Sequence, residues 1–396
     1  MSISKYIVSP DMCRYTFVFP YRLDGLNIEA VRQRLNQETS GYYINKQEDR
    51  FEPYVPIYED DLFFFSADPN KNMIITYDDV SMPCEISIMH HIEQSGICSI
   101  LIDIKIFWEA ISSEPNMIKI SNLFEDKKWF VLMPERIHPI KLYYNEIESI
   151  KKCFNTDCYD NELRAFNEMD DSTAKILPFV MTFLYYKDSK EYRNQILQSF
   201  ENPFDSDETD LESLKCLIAL LYRFKTPDYW PEVDLSYAKA ITSIRGGVIE
   251  NHHPHQGIYI TLHMRSILVA IDESEEEKIP SEYFMALKET ISDSYAKWMY
   301  LMDLNSSLDK YLHKIKKDKK PEDIIKKILL FRRAFASLLD TSIEYKHASG
   351  SLSEINRRFI EIFNIRQLIH DGAMKIDIME KIFDNVQQLR FFDAKL

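Results

Sequence analysis

Glycine is scarce in this sequence, at 8 of 396 residues, which is about a third of the usual share. Glycine-rich loops that hold phosphate groups are therefore limited, as are turns that need left-handed backbone. The pair Gly246-Gly247 lacks the spacing of either phosphate-binding fingerprint. No serine lies in the G-x-S-x-G pattern of an α/β-hydrolase. The sequence thus has no specific catalytic motif, which favours a protein that is not an enzyme.

The cysteine pattern and the absence of long apolar runs limit the protein class further. The six cysteines form no C-x-x-C pair, and Cys153 and Cys158 have no matching second pair, so both zinc and a disulfide framework are poorly supported. No apolar run reaches the roughly 18 residues of a membrane span, and no signal-peptide core follows Met1. We therefore expect a soluble, cytoplasmic protein with reduced thiols that does not engage a membrane.

The net charge of −15 argues against broad nucleic-acid binding, which needs a positive surface. Basic charge is concentrated in one lysine-rich stretch, Lys310–Lys327. It has two interpretations: a solvated helix end and turn, or a docking patch for an acidic partner. This stretch is also the only place where nucleic-acid binding is retained as an expectation.

The last third of the chain contains the strongest pattern, an apolar seam with an average spacing of 3.5 residues. Such a seam keeps one face of a helix towards a partner helix, and the polar Asn305 within it would fix the register of that packing. The residues predicted to form an oligomer or partner interface are Phe284, Leu287, Ile291, Trp298, Leu301, Asn305 and Leu308.

Two more helices are predicted after a lysine-rich break. Pro321 suits the first turn of a helix, which should fade near Gly350, a good terminator. Ser351 and Glu354 then have the spacing of a capping box, which predicts the start of a third helix. The three helices would either pack on the rest of the chain as a bundle or form an oligomerisation stalk.

The upstream sequence predicts strands and shorter helices, so the fold class is α+β: an N-terminal mixed α/β region followed by a predominantly helical C-terminal bundle of long helices. We predict an α/β domain over residues 1–150, a helical segment with a β-hairpin unit over 151–275, and a three-helix bundle or stalk over 276–396. Individual predictions are strands over 15–19, 61–65 paired with 73–77, 99–107 as a central strand, 129–133, 241–249 and 258–271, and helices over 27–36 and most of 145–225.

One loop gathers histidines in a way that suits a transition metal. Its candidate ligands are Glu250, His252, His253 and His255. Ligands bunched in one loop rarely close a good site without a distant fourth, and no H-E-x-x-H helix is present. A solvated polar hairpin without metal is therefore the expectation, and we expect no cofactor.

Asp103 and Lys105 lie one residue apart on the predicted central strand. An acid, a spacer and a lysine at a strand end form the core of metal-dependent nuclease sites, where carboxylates hold magnesium beside the phosphate. Here the pair lies inside an apolar run instead of at its end. A metal-dependent hydrolase or nuclease that uses this pair or the His252–His255 loop is the alternative function.

The region 240–390 resembles the soluble part of CorA-type magnesium channels. The similarity rests on a strand ending Ile267-Leu268-Val269-Ala270, a helix, a basic break, and Ile328-Leu329-Leu330-Phe331-Arg332-Arg333 on the next helix. The Gly-Met-Asn signature and the two membrane helices of that family are absent. The resemblance therefore implies a helical architecture that builds oligomers, without ion conduction.

These observations together predict a non-enzymatic cytoplasmic interaction or scaffold protein. Its C-terminal helices would mediate self-association or the docking of a protein partner, and a homo-oligomer is expected.

Overall fold

The computed structural model describes the chain in segments that together carry one large sheet and a set of long helices. These segments are residues 12–23, 26–43, 62–66, 73–77, 80–93, 96–107, 120, 123–124, 130–133, 138–154, 158, 178–186, 250–252, 258–263, 266–272, 281–315, 321–340 and 351–393. None of the helices in these ranges is long and apolar enough to cross a membrane.

The described strands form one mixed sheet of eleven strands, with the order β2-β3-β5-β6-β1-β8-β11-β10-β9, while β4 pairs with β5 and β7. All the pairings are antiparallel except that of β8 with β11. The strands are β1 Met12–Arg22, β2 Tyr42–Tyr43, β3 Leu62–Ser66, β4 Met73–Tyr77, β5 Val80–Ile92, β6 Ile97–Phe107, β7 Phe130–Met133, β8 Phe179–Tyr186, β9 Glu250–His252, β10 Ile258–His263 and β11 Ser266–Asp272.

The helices are more numerous towards the end of the chain. A short helix after β1 is capped by Asn27, whose side chain accepts a hydrogen bond from the Ala30 N–H. The helices are α1 Ile28–Leu35, α2 Ile140–Cys153, α3 Ser281–Ile315, α4 Pro321–Asp340, α5 Ser351–Ile362 and α6 Ile365–Asp393. The predicted fold class, a mixed sheet followed by long helices, is confirmed.

The centre of the sheet is built on β1 and β6. Both strands are buried along most of their length, as the nearly continuous apolar run of residues 99–107 predicted. On one face, Phe19 of β1 stacks on Tyr143 of α2 with ring centroids 4.8 Å apart, and Phe17 meets Phe124 edge-on at 4.6 Å. Aromatic packing thus holds α2 against this face of the sheet.

The prediction that residues 61–65 pair with residues 73–77 is wrong. Both segments are strands, but β3 pairs with Met89–Ile92 and β4 with Val80–Cys84, at opposite ends of β5. At 13 residues, β5 is long enough to pair with both. In the sequence, Met82, Cys84 and Ile86 alternate with Ser81, Pro83 and Glu85, which is a strand signal that the prediction did not use.

The helix predicted across residues 145–225 is wrong where it covers β8. This strand lies between β1 and β11 and is buried from Phe179 to Tyr185. This strand is apolar or aromatic at every position except Thr182, so it has no helical or alternating period to identify it. The single strand predicted over 258–271 is also wrong, because β10 and β11 are antiparallel partners with His263 opposite Ser266. The strand predicted over 241–249 lies outside the described residues.

The chain divides into two compact units, Met1–Ser292 and Asp293–Leu396. The first unit contains the sheet, and α3 begins in it and continues in the second unit. The second unit contains the rest of α3 together with α4, α5 and α6. The predicted domain boundaries near residues 150 and 275 stay a prediction.

The predicted helix starts at Pro321 and Ser351 agree with the structure, but the third predicted helix is two helices. It breaks between α5 and α6, where Asn364 has a φ of 51°. Asparagine is one of the few residues that adopt this left-handed conformation readily. The predicted end near Gly350 lies outside the described residues.

Gly372 lies inside α6, where a glycine ordinarily weakens the helix. A Cβ atom built at this position would overlap the ring of Phe335 on α4. The missing side chain thus allows α4 and α6 to approach closely, which a sequence pattern does not reveal.

Candidate functional site

A buried carboxylate, Asp103, lies at the centre of a charge cluster formed by β1, β6 and the first turns of α3. Asp103 Oδ2 accepts hydrogen bonds from Arg14 Nε and Lys288 Nζ, both at 2.7 Å, and Thr16 Oγ1 donates to Asp103 Oδ1. Thr16 lies directly opposite Asp103 in the β1–β6 ladder, so strand register sets that contact. The side chains of Asp103 and Lys288 are 2% exposed and that of Arg14 is 34% exposed. Three distant parts of the sequence therefore meet at one buried anion.

The charge cluster holds two cations around one anion, and this imbalance affects the pKa of each group. Burial alone would raise the pKa of Asp103, but the charges of Arg14 and Lys288 outweigh it and hold the pKa well below its usual value. Burial, followed by the nearby charge of Arg14, lowers the pKa of Lys288 to about 8 in spite of its contact with Asp103. At neutral pH the cluster is therefore ionised, with Lys288 largely protonated.

The contacts of Asp103 fit a structural ion-pair network better than a magnesium site. Both carboxylate oxygens already accept hydrogen bonds from Arg14, Thr16 or Lys288, whereas a metal needs those oxygens as ligands. Lys105 has its Nζ 3.9 Å from Glu85 Oε2, and both side chains are more than a third exposed. Within the described ranges, no three His, Cys, Asp or Glu residues are grouped so that they could hold a metal ion.

A second polar network attaches α3 to the same face of the sheet. His91 Nδ1 on β5 lies 3.1 Å from Ser292 Oγ, and Ser99 Oγ on β6 donates to the Ser292 carbonyl at 3.2 Å. A histidine beside a serine is the arrangement of a base and a nucleophile. Here, however, both side chains are buried, and Ser292 Oγ donates to the Glu289 carbonyl within the helix. The geometry therefore supports attachment of the helix and not nucleophilic catalysis.

The neighbouring histidine, His90, anchors α2 on the opposite face, because successive side chains of a strand alternate between faces. His90 Nε2 lies 2.8 Å from Glu146 Oε1 of α2, and His90 Nδ1 lies 3.1 Å from the Tyr21 hydroxyl. The ring of Phe64 stacks on the imidazole at 4.8 Å. Two adjacent histidines of β5 thus connect the sheet to a helix on each side.

The histidine loop is only partly described. Glu250 and His252 lie on β9, where residues Glu250–His252 pair with Ile260–Leu262 of β10. His253 and His255 lie outside the described residues. The expectation that this loop binds no metal therefore stays a prediction.

The seven residues predicted to form an interface lie on α3. Phe284 and Trp298 are partly buried, and the other five residues are buried within the single chain. In the first unit, Phe284 meets the ring of Phe183 edge-on at 6.1 Å. In the second unit, Trp298 stacks on Phe363 at 5.0 Å. Their role as an interface between chains stays a prediction. Within the chain, they pack against other buried side chains.

Asn305, the polar residue of the seam, forms a contact between two helices of the second unit. Its Nδ2 donates to the carbonyl of Leu301, at 3.0 Å, and to that of Leu368 on α6, at 2.9 Å. A buried amide that must reach a particular carbonyl restricts how one helix slides along the other. The contact is compatible with the predicted role of Asn305 in fixing helix register, here between α3 and α6 of one chain.

The exposed large apolar side chains described in the second unit are not members of the seam. Met302 on α3 is 45% exposed, Ile325 and Leu329 on α4 are 38% and 60% exposed, and Met374 and Ile378 on α6 are each 47% exposed. The two residues on α4 and the two on α6 are spaced four apart, so each pair forms neighbours on one helix face.

Most members of the two networks on α3 were not predicted from the sequence, namely Arg14, Thr16, Lys288, Ser292, His91 and Ser99. One signal was available for the first three. Asp103 lies in a strand predicted to be buried on both faces, and a buried carboxylate requires a cation and hydrogen-bond donors. The sequence does not reveal which of its 48 lysines and arginines supplies the charge.

Comparisons with known proteins identify no relative: no family model, curated protein or solved structure matches this chain. The resemblance to CorA-type channels accordingly stays an expectation.

Proposed function

We propose that this is a non-enzymatic protein that self-associates through the helices of its second unit. The observation that carries the proposal is the pair of exposed apolar strips on α4 and α6. Isolated surface apolar residues are ordinary, but apolar neighbours on one helix face offer a surface that another protein can cover.

The chemistry of the first unit supports a non-enzymatic role. Among the buried groups of this unit, Asp103, Lys288, His90 and His91 could in principle perform acid–base chemistry. Each is engaged in a contact that fixes a helix to the sheet. Such contacts orient the fold but offer no accessible reactive group.

We further propose a cytoplasmic site of action. The five cysteines described, Cys13, Cys84, Cys98, Cys153 and Cys158, carry free thiols and are buried. Free thiols are typical of a reducing compartment.

Light scattering of the full chain over a range of concentrations tests self-association. We expect a mass that is a multiple of the 47.0 kDa chain and that falls on dilution. A mass of 47.0 kDa at every concentration up to the micromolar range would overturn the proposal.

Hydrogen exchange at low and high protein concentration then tests which unit is responsible. Amides on α4 and α6 should gain protection as the oligomer forms, while those on β1, β5 and β6 should not change. Protection that appears on the sheet strands instead would assign association to the first unit and contradict this proposal.

A further inference from the structure

The apolar strip on α4 is bordered by positive charge. Lys326, Arg332 and Arg333 are all exposed, and they lie close to Ile325 and Leu329 along the helix. Arg332 Nη2 is 2.6 Å from Glu380 Oε1 of α6, so this arginine contributes to the contact of the two helices. Each exposed charged side chain described on α4 is thus basic.

The apolar strip on α6 is bordered mainly by negative charge. Asp377 is exposed next to Ile378, and the exposed residues Lys381 and Asp384 follow within the next two turns of the helix. The two strips therefore share an apolar centre of two residues but differ in the sign of the charge around it.

We propose that the α4 strip of one copy of this chain docks on the α6 strip of a second copy. This inference rests on the proposed function and identifies the surfaces that carry it. Apolar residues would meet at the centre, with Lys326 and Arg333 of one copy facing Asp377 and Asp384 of the other. Such charge complementarity favours the correct partner and disfavours alternatives.

The charges also restrict the symmetry of the contact. A two-fold contact between two α4 strips would bring arginines and lysines together, which is unfavourable. Contact of α4 with α6 avoids this repulsion and can form in two ways. In a two-fold dimer each α4 strip meets the α6 strip of the other copy, and in a heterologous contact each copy binds one neighbour on each strip. A heterologous contact builds a closed ring, or an open filament where the rotation does not close.

Two variants that each block one surface provide the test. Leu329→Asp places an acid in the α4 strip, and Ile378→Lys places a base in the α6 strip. Both residues are well exposed, so the fold should be retained, and circular dichroism melting checks it. We expect light scattering to show that each variant alone is monomeric.

Mixing the two variants gives the decisive measurement. The Leu329→Asp chain retains an intact α6 strip and the Ile378→Lys chain an intact α4 strip, so an equimolar mixture retains one contact between unaltered strips. We expect a 1:1 dimer of twice the 47.0 kDa chain mass. Monomers in the mixture would overturn the pairing of α4 with α6, and so would a variant that still assembles alone.

A matched control uses an exposed apolar residue on the sheet. Ile74 on β4 is 40% exposed, and Ile74→Asp should leave the mass of the oligomer unchanged. If the unaltered chain is an oligomer that Ile74→Asp disrupts and the helix variants do not, the proposed strips are wrong while self-association stands. If the unaltered chain is a monomer, self-association itself fails and this inference fails with it.

Discussion

The two units of this protein differ in the charged pairs that join distant elements. In the sheet unit, the ion pair of Asp103 with Lys288 joins residues 185 positions apart and is almost fully buried. In the helical unit, the ion pairs Arg332–Glu380 and Lys375–Asp309 join different helices near the surface, and the buried pair Asp293–Lys297 lies within a single helix. Apolar residues such as Phe335 and Phe359 contribute buried contacts there. Removing one partner of a buried ion pair leaves an uncompensated charge and destabilises the fold strongly. A surface ion pair contributes little to the stability of the fold.

The largest loss of stability is expected when Asp103, the anion of the buried network, is removed. Asp103→Ala leaves Lys288 and Arg14 without their carboxylate, and breaking a buried pair in this way costs about 3–5 kcal/mol of unfolding free energy. Urea denaturation followed by circular dichroism measures the loss.

Two further variants sharpen the experiment on Asp103. Glu85→Ala removes the partner of Lys105 near the surface and should cost less than about 1 kcal/mol. Adding Lys288→Met to Asp103→Ala should restore part of the stability, because it removes one uncompensated buried charge. Equal losses for Asp103→Ala and Glu85→Ala would contradict the assignment of a buried network.

In the helical unit, the close approach of two helices predicts an unusual response to alanine. Gly372→Ala would ordinarily stabilise a helix interior by about 1 kcal/mol. Here the added methyl overlaps the ring of Phe335, and overpacking of this kind typically costs about 1–3 kcal/mol.

The sign of the change in melting temperature distinguishes the two outcomes for Gly372→Ala, and we expect a decrease. A second change, Phe335→Leu, should make the alanine tolerable by vacating the space of the ring. A higher melting temperature for Gly372→Ala alone would show that α4 and α6 do not pack as described.

A smaller effect is expected at Asn305. Asn305→Leu removes a buried amide whose Oδ1 has no hydrogen-bond partner among the described residues, so the melting temperature should rise by a few degrees. It also removes the hydrogen bond to Leu368, so helix register becomes less well defined and the oligomer distribution should broaden. Scanning calorimetry and light scattering measure the two effects. An unchanged melting temperature would place Asn305 outside the packed interface.

The smallest effect is expected for metal removal. A metal that binds the native state stabilises it, so its loss lowers the melting temperature. We expect a chelator to leave the melting curve unchanged. A fall of several degrees that His253→Ala abolishes would instead assign a metal site to the histidine loop and favour the hydrolase alternative.

The predictions were more accurate for helix starts in the helical unit than for strand pairing in the sheet unit. The starts of α4 and α5 follow from Pro321 and from the Ser351–Glu354 spacing, because helix signals depend on residues close in sequence. The division of the third predicted helix depends on one residue, Asn364, whose conformation the apolar pattern does not report. In the sheet unit, strand β6 was predicted from its composition, but the partners of β3 and β4 were not.

By itself, the sequence determined the α+β class, the long C-terminal helices and the central position of β6, since these depend on local propensity and on the period of apolar residues. Only the tertiary structure decided that Ala286–Lys297 is buried on every side despite four charged residues. It also paired Lys288 with Asp103. An amphipathic pattern predicts one buried face, and a buried charge becomes acceptable only when a distant partner reaches it. That partner is selected by the register of strands and helices far apart in the chain, which no local pattern encodes.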